Sequence, residues 1–297
     1  MKRVLCVGHA VQDFVFGVAA LPREANKHRA ESFVSVGGGP AATAAVTVAR
    51  LGGAATLACR LGTDAVAAAI RAELETYGVD CRFLRRFPGC VSSLSAVMVD
   101  GAGERMIVNY VDPSLPAAPG WLSEIDFADY DAILADVRWP EGSAFALQRA
   151  RELGLPAVLD ADVPLKRGDP LLKHATHIAF SEPGLHDYSG IDDPATALEQ
   201  AQRATGAWCC VTLGAQGVCY TAAAGIERQP AFKVEVRDTL GAGDVWHGAF
   251  ALALAEGSDE AQAIRAASAA AAIKVQRAGG RAGVPSRQER DHLLGLQ

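Results

Sequence analysis

Short runs rich in branched aliphatic residues alternate along the chain with alanine-rich stretches whose apolar positions recur at helical spacing. The runs predict strands at 3–7, 55–59, 131–136, 157–160, 177–180, 208–212 and 217–221. The stretches predict helices at 40–51, 65–77, 143–153, 193–204, 244–255 and 259–276. A parallel connection needs a crossover long enough to hold a helix, so this alternation predicts an α/β fold with a mostly parallel sheet covered by helices on both faces. Two segments, about 13–36 and 88–112, break the rhythm, because the strand-like runs at 14–18, 93–99 and 105–110 have no helix between them. The interval 100–104, Asp-Gly-Ala-Gly-Glu, suits a hairpin connection. These segments are expected to form a small antiparallel sheet projecting from the main one. No repeat, low-complexity tract or linker interrupts the chain, so residues 1–297 are expected to make one α/β domain carrying that projection.

Composition narrows the function. Half of the 297 residues are hydrophobic, enough for a large core. The net charge of −6, with no basic stripe, argues against nucleic acid or an anionic membrane surface as a partner, so any anionic ligand must be met by a local cluster. The cysteines Cys6, Cys59, Cys81, Cys90, Cys209, Cys210 and Cys219 are odd in number, sit mostly in apolar runs and form no CxxC pair. They read as reduced, buried small hydrophobes of a cytoplasmic protein. The basic start Met1-Lys2-Arg3 leads into an apolar run broken by Gly8, His9, Gln12 and Asp13, which fits a first strand better than a signal peptide. No other run is long enough to cross a membrane.

The chemistry concentrates in Asp238-Thr239-Leu240-Gly241-Ala242-Gly243-Asp244, which runs directly into an apolar helix. Two glycines one residue apart let a turn aim its N–H groups inward, and the helix adds the positive end of its dipole, making an anion site. A carboxylate at the mouth of that site repels phosphate, but it makes sense if a hydroxyl must be aimed at a phosphoryl group. The plainer reading is a glycine turn capped by Asp244. The helix start is expected to keep the Asp244 pKa low. A second cluster, Gly37-Gly38-Gly39-Pro40, opens a helix of small residues and suits either close approach to a ligand or tight packing on a sheet. GxxxxGK[ST] is missing, and Trp246 stands where a dinucleotide fingerprint wants its third glycine, which weakens a nicotinamide-dependent oxidoreductase.

Residues 37–53 and 238–254 resemble the paired signatures of the PfkB, or ribokinase-like, carbohydrate kinases, in the expected order near the two ends of the chain. That resemblance implies a Rossmann-like ribokinase fold with a small β-sheet lid over a sugar site, ATP with Mg²⁺, and in-line transfer of the γ-phosphate to a sugar hydroxyl. It makes Gly241, Ala242 and Gly243 the anion hole and Asp244 the catalytic base, and it brings Asp13, Gly38 and Gly39 to the sugar. Thr212, Gly214 and Gly217 match the nucleotide-binding turn, and Gly280 lies in the segment 278–283, where the family closes its adenine pocket and often holds a monovalent cation. The family's Asn-x-x-Glu element falls at 181–184 as Ser-Glu-Pro-Gly, which leaves Glu182 as the metal candidate. Ala67 stands where a glycine is frequent after Gly62-Thr63-Asp64.

Within that family the chain is similar to the 6-deoxy-6-sulfofructose kinases at 37–46, 103–110, 135–139, 180–185 and 279–285. The resemblance makes Arg138, Asn109 and Lys27 the sulfonate contacts, and a guanidinium fork, an amide and an ammonium suit a permanent anion with three acceptor oxygens. The residues by themselves allow plainer roles. Arg138 precedes Trp139 and could stack on it at the surface, and Lys27 sits in a polar run of ordinary solvated charges. His174 and His177 lack a third ligand for a metal, and His247 reads as packed or exposed rather than catalytic. Other substrates within the family, a catalytically silent sugar sensor and an oxidoreductase remain as alternatives. The apolar outer face of the lid is expected to pair two subunits into a homodimer.

Overall fold

The computed structural model describes residues 1–102 and 104–296; Gly103, in the expected hairpin connection, lies outside them. The chain runs β1 (Arg3–Gly8), β2 (Val11–Gly17), β3 (Ser32–Gly38), α1 (Pro40–Arg50), β4 (Ala54–Leu61), α2 (Ala65–Thr76), β5 (Asp80–Arg86), β6 (Leu94–Val99) and β7 (Arg105–Tyr110). It continues through β8 (Ala132–Asp136), α3 (Pro140–Glu152), β9 (Ala157–Ala161), β10 (His177–Ser181), α4 (Glu182–Ser189), α5 (Pro194–Thr205), β11 (Trp208–Thr212), β12 (Val218–Ala222), β13 (Gly225–Gln229), α6 (Ala242–Ala255), α7 (Glu260–Val275) and α8 (Arg287–Leu294).

The main sheet has the order β13-β12-β11-β10-β9-β8-β1-β4-β5. All neighbours from β5 to β11 are parallel, and β12 and β13 close one edge antiparallel. Strands β8 and β9 are buried along their whole length, as expected where helices cover both faces. Helices α1, α2, α6 and α7 bury their apolar faces against one side of the sheet. Helices α3, α4 and α5 bury theirs against the other. Because β1 pairs with β4 on one side and β8 on the other, the chain departs from it in opposite directions, and the carboxyl ends of β1, β8 and β9 border a crevice where ligands of such sheets bind.

The second sheet has the order β3-β2-β6-β7. Its outer pairs are antiparallel, but β2 and β6 run parallel, which corrects the expectation of an all-antiparallel sheet. The reason lies in the main sheet: β2 follows β1 and β6 follows β5, and those strands belong to one parallel set. Four elements carried no clear apolar period. Strands β5 and β13 are edge strands with charged positions, α4 opens with Glu-Pro-Gly, and α8 (Arg-Gln-Glu-Arg-Asp-His-Leu-Leu) forms around a Ser286–Glu289 capping box instead of a wide apolar face.

Candidate active site

Glycine brings the two ends of the crevice together. Gly39 holds φ 95° at the start of α1, where a side chain would strike the His9 backbone, so the helix can approach the β1–β2 connection closely. The buried Asp136 carboxylate ties that approach down, accepting from His9 N at 2.7 Å, Ala41 N at 3.1 Å and Arg138 N at 2.8 Å. From the opposite direction, Gly241 adopts φ 72° ahead of α6, where a Cβ would come within van der Waals distance of Thr43 on α1 and of the Asp244 carboxylate. The N-termini of α1 and α6 thus meet at one place, and both leave first-turn N–H groups without partners inside their own helices.

Asp244 occupies the third position of α6. Its carboxyl is pushed up to about 7, first by loss of hydration and then by the neighbouring Asp160, with Asp136 adding and His247 and Arg281 opposing. This corrects the low pKa expected from the helix start. A helix terminus is worth about 0.3–1 kcal/mol, under one pKa unit, and cannot offset burial beside other carboxylates. Asp160 lies opposite Asp136 in the β8–β9 register, and burial pushes its own carboxyl well above the ordinary range. His247 is buried behind this cluster: Nε2 lies 3.2 Å from the Ala179 carbonyl and Nδ1 lies 3.4 Å from Asp160. Burial lowers the imidazole pKa, and a ring that donates from Nε2 to Ala179 leaves a buried Nδ1 beside Asp160 with no hydrogen bond of its own.

The second sheet presents one polar row to the crevice. Its register aligns Asn109 with Ser95, Ser95 with Asp13 and Asp13 with Val36, so these residues share a face. Asn109 donates to Ser95 Oγ at 3.0 Å, and burial raises the Asp13 carboxyl against the opposing pull of Ser95 and Arg281. Gly38 leaves the space into which Asp13 points. Arg281, which the sequence reading left unassigned, is fully buried here; it donates from Nη2 to the Gly38 carbonyl at 2.6 Å and from Nε to Thr43 Oγ1 at 3.3 Å. Its Nη1 lies 3.6 Å from Glu73 and makes no hydrogen bond. The only sequence signal for it was its place in Gly-Gly-Arg-Ala-Gly, beside a glycine chosen for another role.

Of the residues expected at a nucleotide, Thr212 ends β11 and donates to the Phe180 carbonyl at 3.4 Å. Gly214 and Gly217 turn with φ 54° and 90°. Gly280, with φ 57°, faces Leu240 of the Gly241 turn closely enough that a Cβ there would touch the leucine side chain. Glu182 begins α4 and lines a hollow of about 290 Å³ with Pro183, His186, Asp192 and Leu213. Among the described residues no group of three or more His, Cys, Asp or Glu could hold a metal ion. Mg²⁺ in phosphoryl-transfer sites is held by one or two carboxylates plus phosphates. Glu182 is an exposed carboxylate at the start of α4, and the Asp162 carboxylate after β9 accepts from Ser181 Oγ at 2.7 Å and from Arg138 at 3.1 Å, so a metal there would share Asp162 with these donors.

The three sulfonate candidates are not joined to one another. Arg138 pairs with Asp162 at 3.1 Å and is 38% exposed in its side chain. Asn109 bonds to its neighbour strand, and Lys27 is exposed between β2 and β3. His177 makes its contacts with Thr176, Glu260 and Trp208, and among the described residues it belongs to no group of three metal-ligating side chains.

Comparison with known proteins agrees with this geometry. Residues 1–287 match the model of the pfkB family carbohydrate kinases. The chain is 28% identical to the ribokinase of Bacillus subtilis (strain 168), covering 99% of this chain and all of that one. It is 29% identical to fructokinase-1 of Oryza sativa subsp. japonica, covering 96% and 95%. A solved structure of a putative ribokinase from Agrobacterium tumefaciens superposes with a TM-score of 0.90 at 38% identity, covering 99% and 97%.

Proposed function

The chain belongs to the pfkB family of carbohydrate kinases, ATP-dependent phosphotransferases, and we propose that its sugar is an anionic ketose, first 6-deoxy-6-sulfofructose, phosphorylated on a hydroxymethyl group to the 1-phosphate. The observation that carries the chemistry is Asp244, poised near neutrality where α6 meets the crevice. In this reading the ketose lies between the Asp13–Ser95–Asn109 row and the turn of Gly38 and Gly39, with its reacting hydroxyl toward Asp244. The carboxylate accepts a hydrogen bond from that hydroxyl and takes its proton as transfer proceeds, while the N–H groups of Gly241, Ala242 and Gly243 stabilise charge on the moving phosphoryl group. When bound, Mg²⁺ neutralises phosphate charge, with Asp162 and Glu182 as the residues that would hold it. Thr212, Gly214, Gly217 and Gly280 shape the ATP site.

What supports an anionic substrate is the donor chemistry bordering the crevice. Arg138 uses one Nη2 donor on Asp162, so its fork keeps donors for a second anion. Lys27 has no ion pair among the described residues. A second reading, a neutral pentose or ketohexose, draws on the names of the two curated relatives. An ADP-release assay across sulfofructose, fructose 6-phosphate, fructose, ribose and 2-keto-3-deoxygluconate separates the two. The highest kcat/KM is expected on sulfofructose, and a preference for ribose or fructose would refute the anionic reading.

The assembly belongs to the same proposal. The face of the second sheet turned away from Asp13 carries Phe14, Phe16, Phe33, Met106, Val108 and Tyr110, of which Phe33 and Val108 are 58% and 61% exposed. A second copy laid on this face would cover it, making a homodimer in a reducing, cytoplasmic setting suited to seven unpaired cysteines. Light scattering that found only monomer at micromolar protein would rule the dimer out.

A further inference from the structure

Lys274 is a buried charge that phosphoryl transfer, as described above, does not use. It stands in the last turn of α7, and its side chain has no exposed surface. Its ammonium donates to the Asp238 backbone carbonyl at 2.9 Å and to the Asp238 carboxylate at 3.1 Å. Asp238 opens the segment leading to the Gly241 turn, and its carboxylate also accepts from Leu240 N at 2.9 Å and from Arg105 of β7 at 2.9 Å. The same stretch is pinned to the end of α7 by its backbone, since Arg237 N and Asp238 N both donate to the Val275 carbonyl, at 2.7 and 3.0 Å.

A lysine taken wholly out of water persists only where an anion and further acceptors meet it, and here one residue supplies both. The expected monovalent cation of the 278–283 segment needs the same thing, an unsatisfied carboxylate and carbonyls beside the anion turn. The Asp238 carboxylate and carbonyl already hold the ammonium, and Arg105 meets the carboxylate from the lid. The residues therefore do not fit a solvent cation at this carboxylate. We propose that the Lys274 ammonium is a resident substitute for that cation: it neutralises Asp238, fixes the segment that presents Gly241–Asp244, and leaves turnover independent of potassium.

The test compares potassium chloride with tetramethylammonium chloride at matched ionic strength. Wild-type protein is expected to show the same thermal midpoint and the same kcat in both salts; a midpoint or kcat that rises with potassium overturns the proposal, because an ion bound to the native state stabilises it. Lys274→Met is expected to lose about ten- to a hundredfold in kcat in tetramethylammonium, the effect of removing one charge-assisted hydrogen bond, and to regain part of it in potassium or ammonium ions. Rescue of that kind is a response a purely structural lysine would not give. A folded variant that no cation rescues, or one as active as wild type without added cation, overturns the proposal. If the variant does not fold, the wild-type comparison decides. The activity arm rests on the kinase reading and the thermal arm does not, so a wild type inactive on every sugar with a midpoint indifferent to potassium would count against that reading alone.

Discussion

The crevice around Asp244 and the set Arg138, Asn109 and Lys27 are built in opposite ways. Around Asp244, two helix starts, the neighbouring charges of Asp160 and Asp136 and a buried histidine act on one carboxyl. The sulfonate candidates lie on three separate elements, each with another partner or with water. Phosphoryl transfer needs charge stabilisation arranged before the substrate arrives, whereas a charged substrate can gather flexible donors as it binds. The first arrangement should therefore fail sharply when altered, and the second should fail selectively.

The largest expected effect comes from Asp244→Asn, which keeps size and most hydrogen bonding but removes proton acceptance. Turnover should fall by about 10²–10⁴ with ATP affinity largely kept, as measured by ADP release and by calorimetry. Near-normal turnover would place the base elsewhere. Arg281→Met should act on the fold as well as on the site, because it leaves Glu73 without its ion-pair partner and the Gly38 carbonyl without its donor. Unfolding in urea should show a loss of about 2–4 kcal/mol, somewhat discounted because Glu73 is partly exposed. A change within experimental error would make Arg281 dispensable to the packing.

Next in size is Arg138→Lys. An ammonium cannot supply two parallel donors, so efficiency on sulfofructose should fall about ten- to a hundredfold while a neutral ketose is little affected. Equal losses on both sugars would mean that Arg138 serves Asp162 and the crevice rather than the substrate.

How much of this was legible differs between the two regions for a physical reason. The parallel strands and long helices carried their period in the sequence, and the anion turn carried its glycines, because both are set by neighbours along the chain. The main-sheet edges β5 and β13, the short α4 and the polar α8 were missed because they are held by packing and caps more than by an apolar pattern. The family signatures named Asp244, but the helix start predicted the wrong sign for its acidity, since Asp160 and Asp136 come from strands more than eighty residues away in sequence and burial is not written locally. Arg281 and Lys274 were invisible for the same reason: a buried charge is recognisable only by its partners.

The acidity of Asp244 gives a subtler way to test the preorganised region. An acid whose native pKa is raised is favoured in its protonated form, so this group's contribution to stability is fully present below the unfolded carboxyl value and is lost as pH rises from there to about 7. Activity runs the other way, because the base must be ionised, and kcat/KM should show an acid limb near 7. Asp160→Asn removes a like-charged neighbour and should move that limb to lower pH without abolishing turnover. A limb that stays in place would mean that hydration loss alone sets the acidity.

The smallest expected effect is that of Asn109→Ala, and it sharpens the comparison most finely. Asn109 donates to Ser95, which lies opposite Asp13 in the strand register, so the amide belongs by position to the sulfonate set and by contact to the sugar row. If it reads the anion, its removal should cost about three- to tenfold on sulfofructose and little on fructose, the size expected for one neutral donor. If instead it only braces Ser95 and Asp13, both sugars should lose equally and KM should rise more than kcat falls. A ratio of kcat/KM values for the two sugars that is unchanged from wild type would assign Asn109 to the row, and the anionic selectivity would then rest on Arg138 and Lys27 alone.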